Sequence, residues 1–267
     1  MFRPRIIPCL LLKDKGLVKT VQFKDPRYIG DPINAVRIFN DREADELIFL
    51  DIMASGRTGI SSSQRESSIA FELIAKISRE CMMPLSYGGG IASIDDITRL
   101  FTIGVEKVII NSQAIENPEL VREAGETFGN QSIIVSIDAR NHHDDSYEVI
   151  SRGGTKPTGK DALGYAMEME AAGAGELMIT SIEKDGTMSG YDIPLIKTIA
   201  DAVNIPVIAA GGAGKIEDLK RAYTEGHASA MAAGSLFVYH GRKKAVLINY
   251  PKRTELEAAF RDTGPPQ

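Results

Sequence analysis

The chain contains itself twice. Residues 44–59 (ADELIFLDIMASGRTG) return as residues 174–190 (AGELMITSIEKDGTMSG), residues 84–90 (PLSYGGG) as 206–212 (PVIAAGG), and RIIPCLL at 5–11 as SIIVSID at 132–138. Each second copy follows its first by about 120–130 residues. A repeat of this length constrains architecture more than any local signal, because the fold must seat two equivalent multi-element halves. It also sets positions against each other. Leu11 stands where Asp138 stands, at the end of an apolar strand, so a duplicated site offers one carboxylate where symmetry would give two.

At 267 residues the chain is long enough for one large domain or two small ones, and no linker rich in Pro, Gly or Ser separates the halves. One domain over 1–267, with halves near 1–128 and 129–267, is the expectation. Short apolar runs at 5–12, 46–52, 84–88, 107–111, 132–138, 176–181, 206–210 and 229–233 read as strands buried on both faces, which suits a parallel sheet. Amphipathic segments near 32–42, 65–80, 94–103, 117–128, 160–172, 193–203, 215–225 and 253–260 read as helices between and after them. Eight strand–helix units predict an α/β fold, the (β/α)₈ TIM barrel, built from two duplicated half-barrels. A doubly wound open sheet is the competing reading, but it does not naturally hold two equivalent four-unit halves. Three segments exceed the minimal repeat: a charged loop over 13–31, an inserted hairpin over 140–159, and an extra short strand over 241–252. Long loops after barrel strands lie at the catalytic face.

Composition narrows the function classes. A formal charge of −5 gives no basic footprint for nucleic acid. The apolar run at the start is too short for a signal peptide, and none approaches a membrane span. Two cysteines, Cys9 and Cys81, make no disulfide framework, which points to a reducing cytosol. The four histidines form no zinc pattern, and His142 and His143 sit in a polar turn, so no metal is expected. Nothing calls for a cofactor.

The glycine runs carry the strongest local chemistry. Gly88, Gly89 and Gly90 end the third strand before a helix opening at Ser93; Gly211, Gly212 and Gly214 end the seventh before a helix opening near Lys215. Backbone N–H groups converging on a helix N-terminus bind anions. The next strands end in Asn111-Ser112 and Gly234-Ser235, so two phosphate sites on opposite sides of one mouth are expected. Thr180 and Ser181 at the end of the sixth strand join the candidate binding set. Asp51, Asp138 and Asp185 at or beyond strand ends are candidates for proton transfer or for holding substrate hydroxyls. Lys19, in the first loop, is placed to close over a phosphate. At strand starts, Arg5, Glu46, Lys107 and Glu176 belong to barrel strands 1, 2, 4 and 6 and would meet at the floor as a salt-bridge ring, which by itself reads as a stabilising plug.

From about Arg5 to Phe237 the chain closely resembles the HisF family, the cyclase subunit of imidazole glycerol phosphate synthase. RIIPCL, GDP (30–32), ADELIFLDI, YGGGI, KVIIN, SIDA, GAGELMITSIEKDGT and AAGGAGK carry the likeness. The resemblance implies a HisH-like glutaminase docked on the floor, ammonia passing a charged gate (Arg5, Glu46, Lys107, Glu176) and the barrel, and a phosphorylated small-molecule substrate held at the mouth by two phosphate sites. It also implies two catalytic aspartates, one per half. Asp138 matches one and Asp185 is retained as a further catalytic candidate; Leu11 replaces the other, Glu183 replaces an aspartate, and the hairpin (Thr155–Gly159) and the AVLINYP tail differ. These departures are similar to a paralogous branch linked to surface-polysaccharide (lipopolysaccharide) synthesis, where the barrel and its glutaminase supply ammonia to an ATP-using sugar amidotransferase that turns an acetamido into an acetamidino sugar. Histidine-pathway cyclisation is the alternative, and a non-catalytic glutaminase-activating scaffold a second.

Overall fold

A computed structural model of the protein describes residues 3–54, 68–142, 146–241, 243–261 and 263. His143, Arg242 and the first residues of the helix expected over 65–80 lie outside the described residues. Among those described, the strands are β1 (Arg5–Lys13), β2 (Gly16–Val21), β3 (Lys24–Gly30), β4 (Leu47–Asp51), β5 (Leu85–Gly88), β6 (Lys107–Ile110), β7 (Ile133–Asn141), β8 (Tyr147–Ser151), β9 (Lys156–Asp161), β10 (Glu176–Ser181), β11 (Val207–Ala210), β12 (Ala230–Ala233), β13 (Tyr239–His240) and β14 (Ala245–Val246).

Eight of them close in the order β1-β4-β5-β6-β7-β10-β11-β12, every neighbour parallel, with β12 returning to β1. A helix follows each unit, which makes the (β/α)₈ barrel the repeat demands. The period-2 pleat divides the apolar residues between two cores. Ile6, Leu10 and Leu12 of β1 pack outward against the helices, while Ile7 points into the barrel. Inside, Ile7, Ile48, Ile109, Ile134, Met178 and Ile208 make a separate apolar cluster with Ala210, Ala230 and Ala232. Full burial of each such isoleucine contributes roughly 1.5–3 kcal/mol.

The halves agree beyond their sequences. Helices Ile94–Thr102 and Ile216–Thr224 are held by the same device: Asp96 Oδ2 accepts the Ala92 N–H at 3.1 Å, and Asp218 Oδ2 accepts the N–H groups of Gly214 at 2.9 Å and Lys215 at 3.1 Å. Both halves also extend their first barrel strand into an antiparallel hairpin. β8 and β9 on β7 are the hairpin expected over 140–159. The segment 13–31, expected as a loop, is instead the pair β2–β3 on β1. Its charges hid the strands. Leu17, Val18, Lys19 and Thr20 are buried in succession, so both faces of β2 are covered, while Lys24, Asp25, Pro26, Arg27 and Tyr28 leave β3 as an exposed edge. Charge and proline are what such an edge needs to resist pairing with another chain. The tail over 241–252 holds one strand of a short antiparallel pair, β13–β14, before Tyr250 tucks under the barrel, its hydroxyl donating to the Ile6 carbonyl at 2.9 Å.

Candidate active site

The C-terminal ends of the barrel strands open on a cavity of about 560 Å³. It collects Lys19, Asp51, Gly88, Gly89, Asn111, Asp138, Thr180, Asp185, Gly211, Gly212, Gly234 and Ser235. Gly90, Ser181 and Gly214 do not line it. The Gly214 N–H is consumed by Asp218, and Asp96 and Asp218 cap the helices that follow the glycine runs. At those two helix N-termini the N–H groups of Ala92, Gly214 and Lys215 are thus taken by carboxylates of the chain itself. Backbone at the mouth is left to the turns themselves and to the short helices Ser112–Glu116 and Ser235–Val238 one strand on.

Asp138 sits in the wall contributed by β7. Asn111 Nδ2 donates to its Oδ2 at 3.1 Å and to the Ser136 carbonyl at 2.9 Å. Burial, reinforced by the negative charge of Asp185, pushes the Asp138 carboxyl up to about 7, against the opposing pull of the Asn111 hydrogen bond. A buried acid with that value exchanges a proton at neutral pH, which is what general acid–base work requires. Asp185 is held differently: it accepts from Lys19 Nζ at 3.2 Å and from the Thr20 hydroxyl at 3.2 Å. The hairpin β2–β3 brings both donors, and Gln22 N–H fixes that hairpin to the Asp185 carbonyl at 2.9 Å.

Leu11 also lines the cavity, at the position that duplicates Asp138. Beneath it Cys9 occupies the place of Ser136, and burial pushes its thiol up to about 12, so it stays protonated. Leu50 likewise duplicates Thr180. Cys9, Leu11 and Leu50 of the first half thus stand where the second half has Ser136, Asp138 and Thr180, while Asp51, at the position of Ser181, keeps an acid on the first-half side.

At the opposite end the four strand-start charges do meet. Arg5 bonds Glu46 at 2.5 Å and Glu176 at 2.8 Å, and Lys107 bonds Glu176 at 2.5 Å and lies 3.7 Å from Glu46. Burial opposes the charge on Arg5, but the hydrogen bonds and charges of Glu176 and Glu46 outweigh it and raise its pKa. The two carboxylates are nearly enclosed and the cations less so, so the ring closes the barrel axis with a solvent-facing positive side.

The residues that sequence reading missed come from the hairpin tips. Thr20, Phe23, Pro26, Arg152, Gly153 and Thr155 line the mouth. The tips touch: a Cβ on Gly154, whose φ is +80°, would lie 2.8 Å from the Phe23 ring. The repeat itself was the available signal, since a hairpin after the fifth barrel strand implies one after the first.

A closed parallel barrel with an acid, hydroxyls and glycine turns around a cavity at its C-terminal mouth defines a (β/α)₈-barrel protein. Residues 5–243 match the family described as histidine biosynthesis protein. The chain belongs to this family and, within it, is a HisF-type barrel. It is 48% identical over 257 residues to a protein of Pseudomonas aeruginosa provisionally named imidazole glycerol phosphate synthase subunit hisF2, covering 96% of this chain and 99% of that one. A similarly named HisF subunit of Leptospira borgpetersenii is 49% identical over 261 residues, covering 97% of this chain and all of the relative. A hisF3 subunit of Vibrio vulnificus is 42% identical, with 97% of each chain covered. No helix among the described residues is long and apolar enough to cross a membrane.

Proposed function

We propose that this protein is the ammonia-receiving barrel of a glutamine-dependent synthase. A HisH-like glutaminase docks on the floor, and Arg5, Glu46, Lys107 and Glu176 form the gate that admits its ammonia. The lumen beyond the ring, Ile7, Ile48, Ile134 and Met178 with Ala230 and Ala232, is apolar. Such a path passes neutral ammonia and excludes ammonium, because an unpaired charge in an apolar medium costs far more than a neutral amine. The ammonia serves an ATP-using sugar amidotransferase that converts an acetamido into an acetamidino sugar for surface polysaccharide.

The observation that carries this reading is an intact floor above which the mouth keeps one acid of a duplicated pair, Asp138 facing a wall that holds Leu11. A leucine transfers no proton, and losing one general acid–base partner lowers a rate by about 10²–10⁴-fold. The histidine-pathway cyclase stays the second reading because Asp138, poised near neutral pH, and Asp185 are both in the mouth. The test is to combine the chain with the glutaminase of its own organism and follow amide ¹⁵N from glutamine into the sugar in the presence of the third protein. Lys107→Ala is expected to leave glutamine hydrolysis running while ¹⁵N transfer falls and free ammonia rises. Absence of any glutaminase binding at micromolar concentration rules the reading out.

A further inference from the structure

The exposed large apolar side chains are not spread evenly over the molecule. Val21, Tyr28, Ile52 and Met53 stand between 37% and 70% exposed. The first two lie on the β2–β3 hairpin and the others just past the end of β4. β1 pairs with both β2 and β4, so all four belong to the first-half side of the mouth. The second half does not repeat this. Ile182, the duplicate of Ile52, is buried, and Glu183 stands in place of Met53. Ile52 and Met53 also line the cavity, together with Phe23 and Pro26 of the hairpin.

This apolar rim continues the lumen. Cys9 and Leu50 pack on the apolar cluster inside the barrel, and Leu11 follows Cys9 on the same face of β1. Above Ile7 and Ile48 the first-half side therefore offers Cys9, Leu11 and Leu50, and then Ile52 and Met53. Asp51, the acid on this side, spends Oδ1 on the N–H groups of Met53 at 2.9 Å and Ala54 at 3.1 Å. The hairpin adds charge. Residues 13–30 hold five basic and two acidic side chains in a chain of formal charge −5, so this collar is positive against the rest of the molecule. Lys24 and Arg27 of its edge strand are exposed. Methionine, tyrosine and arginine are enriched where proteins meet, and a cationic edge selects an anionic one.

We infer that the protein that consumes the ammonia docks on the first-half side of the mouth, burying Ile52, Met53 and Tyr28 and setting an acidic edge against Lys24 and Arg27. The inference rests on the reading proposed above, in which ammonia leaves this barrel for an ATP-using partner. Such a transfer needs a covered exit, because ammonia released into water at neutral pH takes up a proton and stops being a nucleophile. An apolar wall that runs from the lumen to an apolar rim provides one once a partner closes over it. The second-half side, with Glu183 just past its own strand end, stays outside the contact.

The experiment titrates the full-length chain, and separately its complex with the glutaminase, with the ATP-using sugar amidotransferase of the same organism. Saturable binding is expected, weakened about tenfold or more by Met53→Asp and by the double variant Lys24→Glu/Arg27→Glu, and weakened by added salt. Arg122→Glu, exposed on the helix Glu119–Phe128, should change it by less than about twofold. No saturable binding, or binding indifferent to both rim variants, would overturn the inference. So would a dimer of the chain alone that Met53→Asp dissolves, which gives the patch to a second copy, or attachment to phosphatidylglycerol vesicles through Lys24 and Arg27, which gives it to a lipid surface. Amide ¹⁵N reaching the sugar without such docking would overturn this inference and leave the gate reading in place. Docking at the rim while no glutaminase binds the floor would keep the surface and remove the gate.

Discussion

The two walls of the barrel mouth stand on duplicated strands and carry different side chains. On one side Ser136, Asp138 and Thr180 line the cavity; on the other their duplicates are Cys9, Leu11 and Leu50. At the floor the halves still agree, with Glu46 and Glu176 as matching members of one ion-pair ring. Outside the barrel they agree as well, in the hairpins on β1 and β7 and in the Asp96 and Asp218 caps. Duplication is therefore kept at the floor, in the hairpins and in the helix caps, and lost in these side chains of the mouth.

The comparison can be broken at the floor first, where the effect should be largest. Removing Lys107 leaves Glu176 and Glu46 nearly enclosed and sharing only Arg5. Loss of one partner from a buried pair typically costs about 3–5 kcal/mol. Lys107 keeps some solvent, so Lys107→Ala is expected near the lower end, read as a fall in denaturant midpoint at unchanged slope. A variant as stable as the parent would mean that the ring closes the floor without stabilising it.

Making the walls alike is the next perturbation. Leu11→Asp gives the first half its missing acid, facing Asp138 and Asp185 in a partly buried setting. Burial and like charge hold such a carboxyl above its unfolded value. The variant should match the parent near pH 4 and lose roughly 2–4 kcal/mol by pH 8. Asp138→Asn makes the opposite match. The Asp138 carboxyl lies at about 7 in the folded protein against an ordinary 3.8, so the folded state binds the proton more tightly. Stability is then greatest below the ordinary value, falls as pH rises toward 7, and is flat beyond. Asparagine removes that decline, so the variant should be more stable than the parent by a few kcal/mol at pH 8 and indistinguishable near pH 4. A parallel offset at all pH values would show that Asp138 is not the titrating group.

The smallest effect is expected away from the mouth. The Tyr165 hydroxyl, on the helix Ala162–Ala171, is buried without a partner among the described residues, and burial raises its pKa. Removing an unsatisfied buried hydroxyl should be stabilising by about 1 kcal/mol, so Tyr165→Phe should raise the melting temperature by a few degrees. A lower melting temperature would indicate a hydrogen bond to ordered water.

Much of this was legible in the chain because it lies in periodicity. Continuous apolar runs of five to eight residues separated by amphipathic segments put the barrel strands within a residue of their places, except that β7 runs three residues further into its hairpin, and Arg5, Glu46, Lys107 and Glu176 could be assigned to the floor from strand starts alone. The misses are contacts between segments distant in sequence. Strand β3 was hidden by the charges its exposed edge requires. Arg152 gave no sign that its backbone would reach Ser112, 40 residues away. The capping of Gly214 by Asp218 was open to reading, since an acid at the third position of a helix commonly turns back on its own N-terminus. The glycine run beside it gave the louder signal. Which turn keeps a free donor depends on packing, and no spacing rule carries that.

The most direct test of the divided mouth uses the wild-type chain alone, the bisphosphorylated substrate of the histidine-pathway cyclase, and ammonium chloride in place of a glutaminase. With Leu11 opposite Asp138, formation of imidazole glycerol phosphate should fall at least ~10²-fold below that of a HisF barrel carrying both acids. Turnover equal to that of a barrel carrying both acids would contradict the account and favour the histidine-pathway reading.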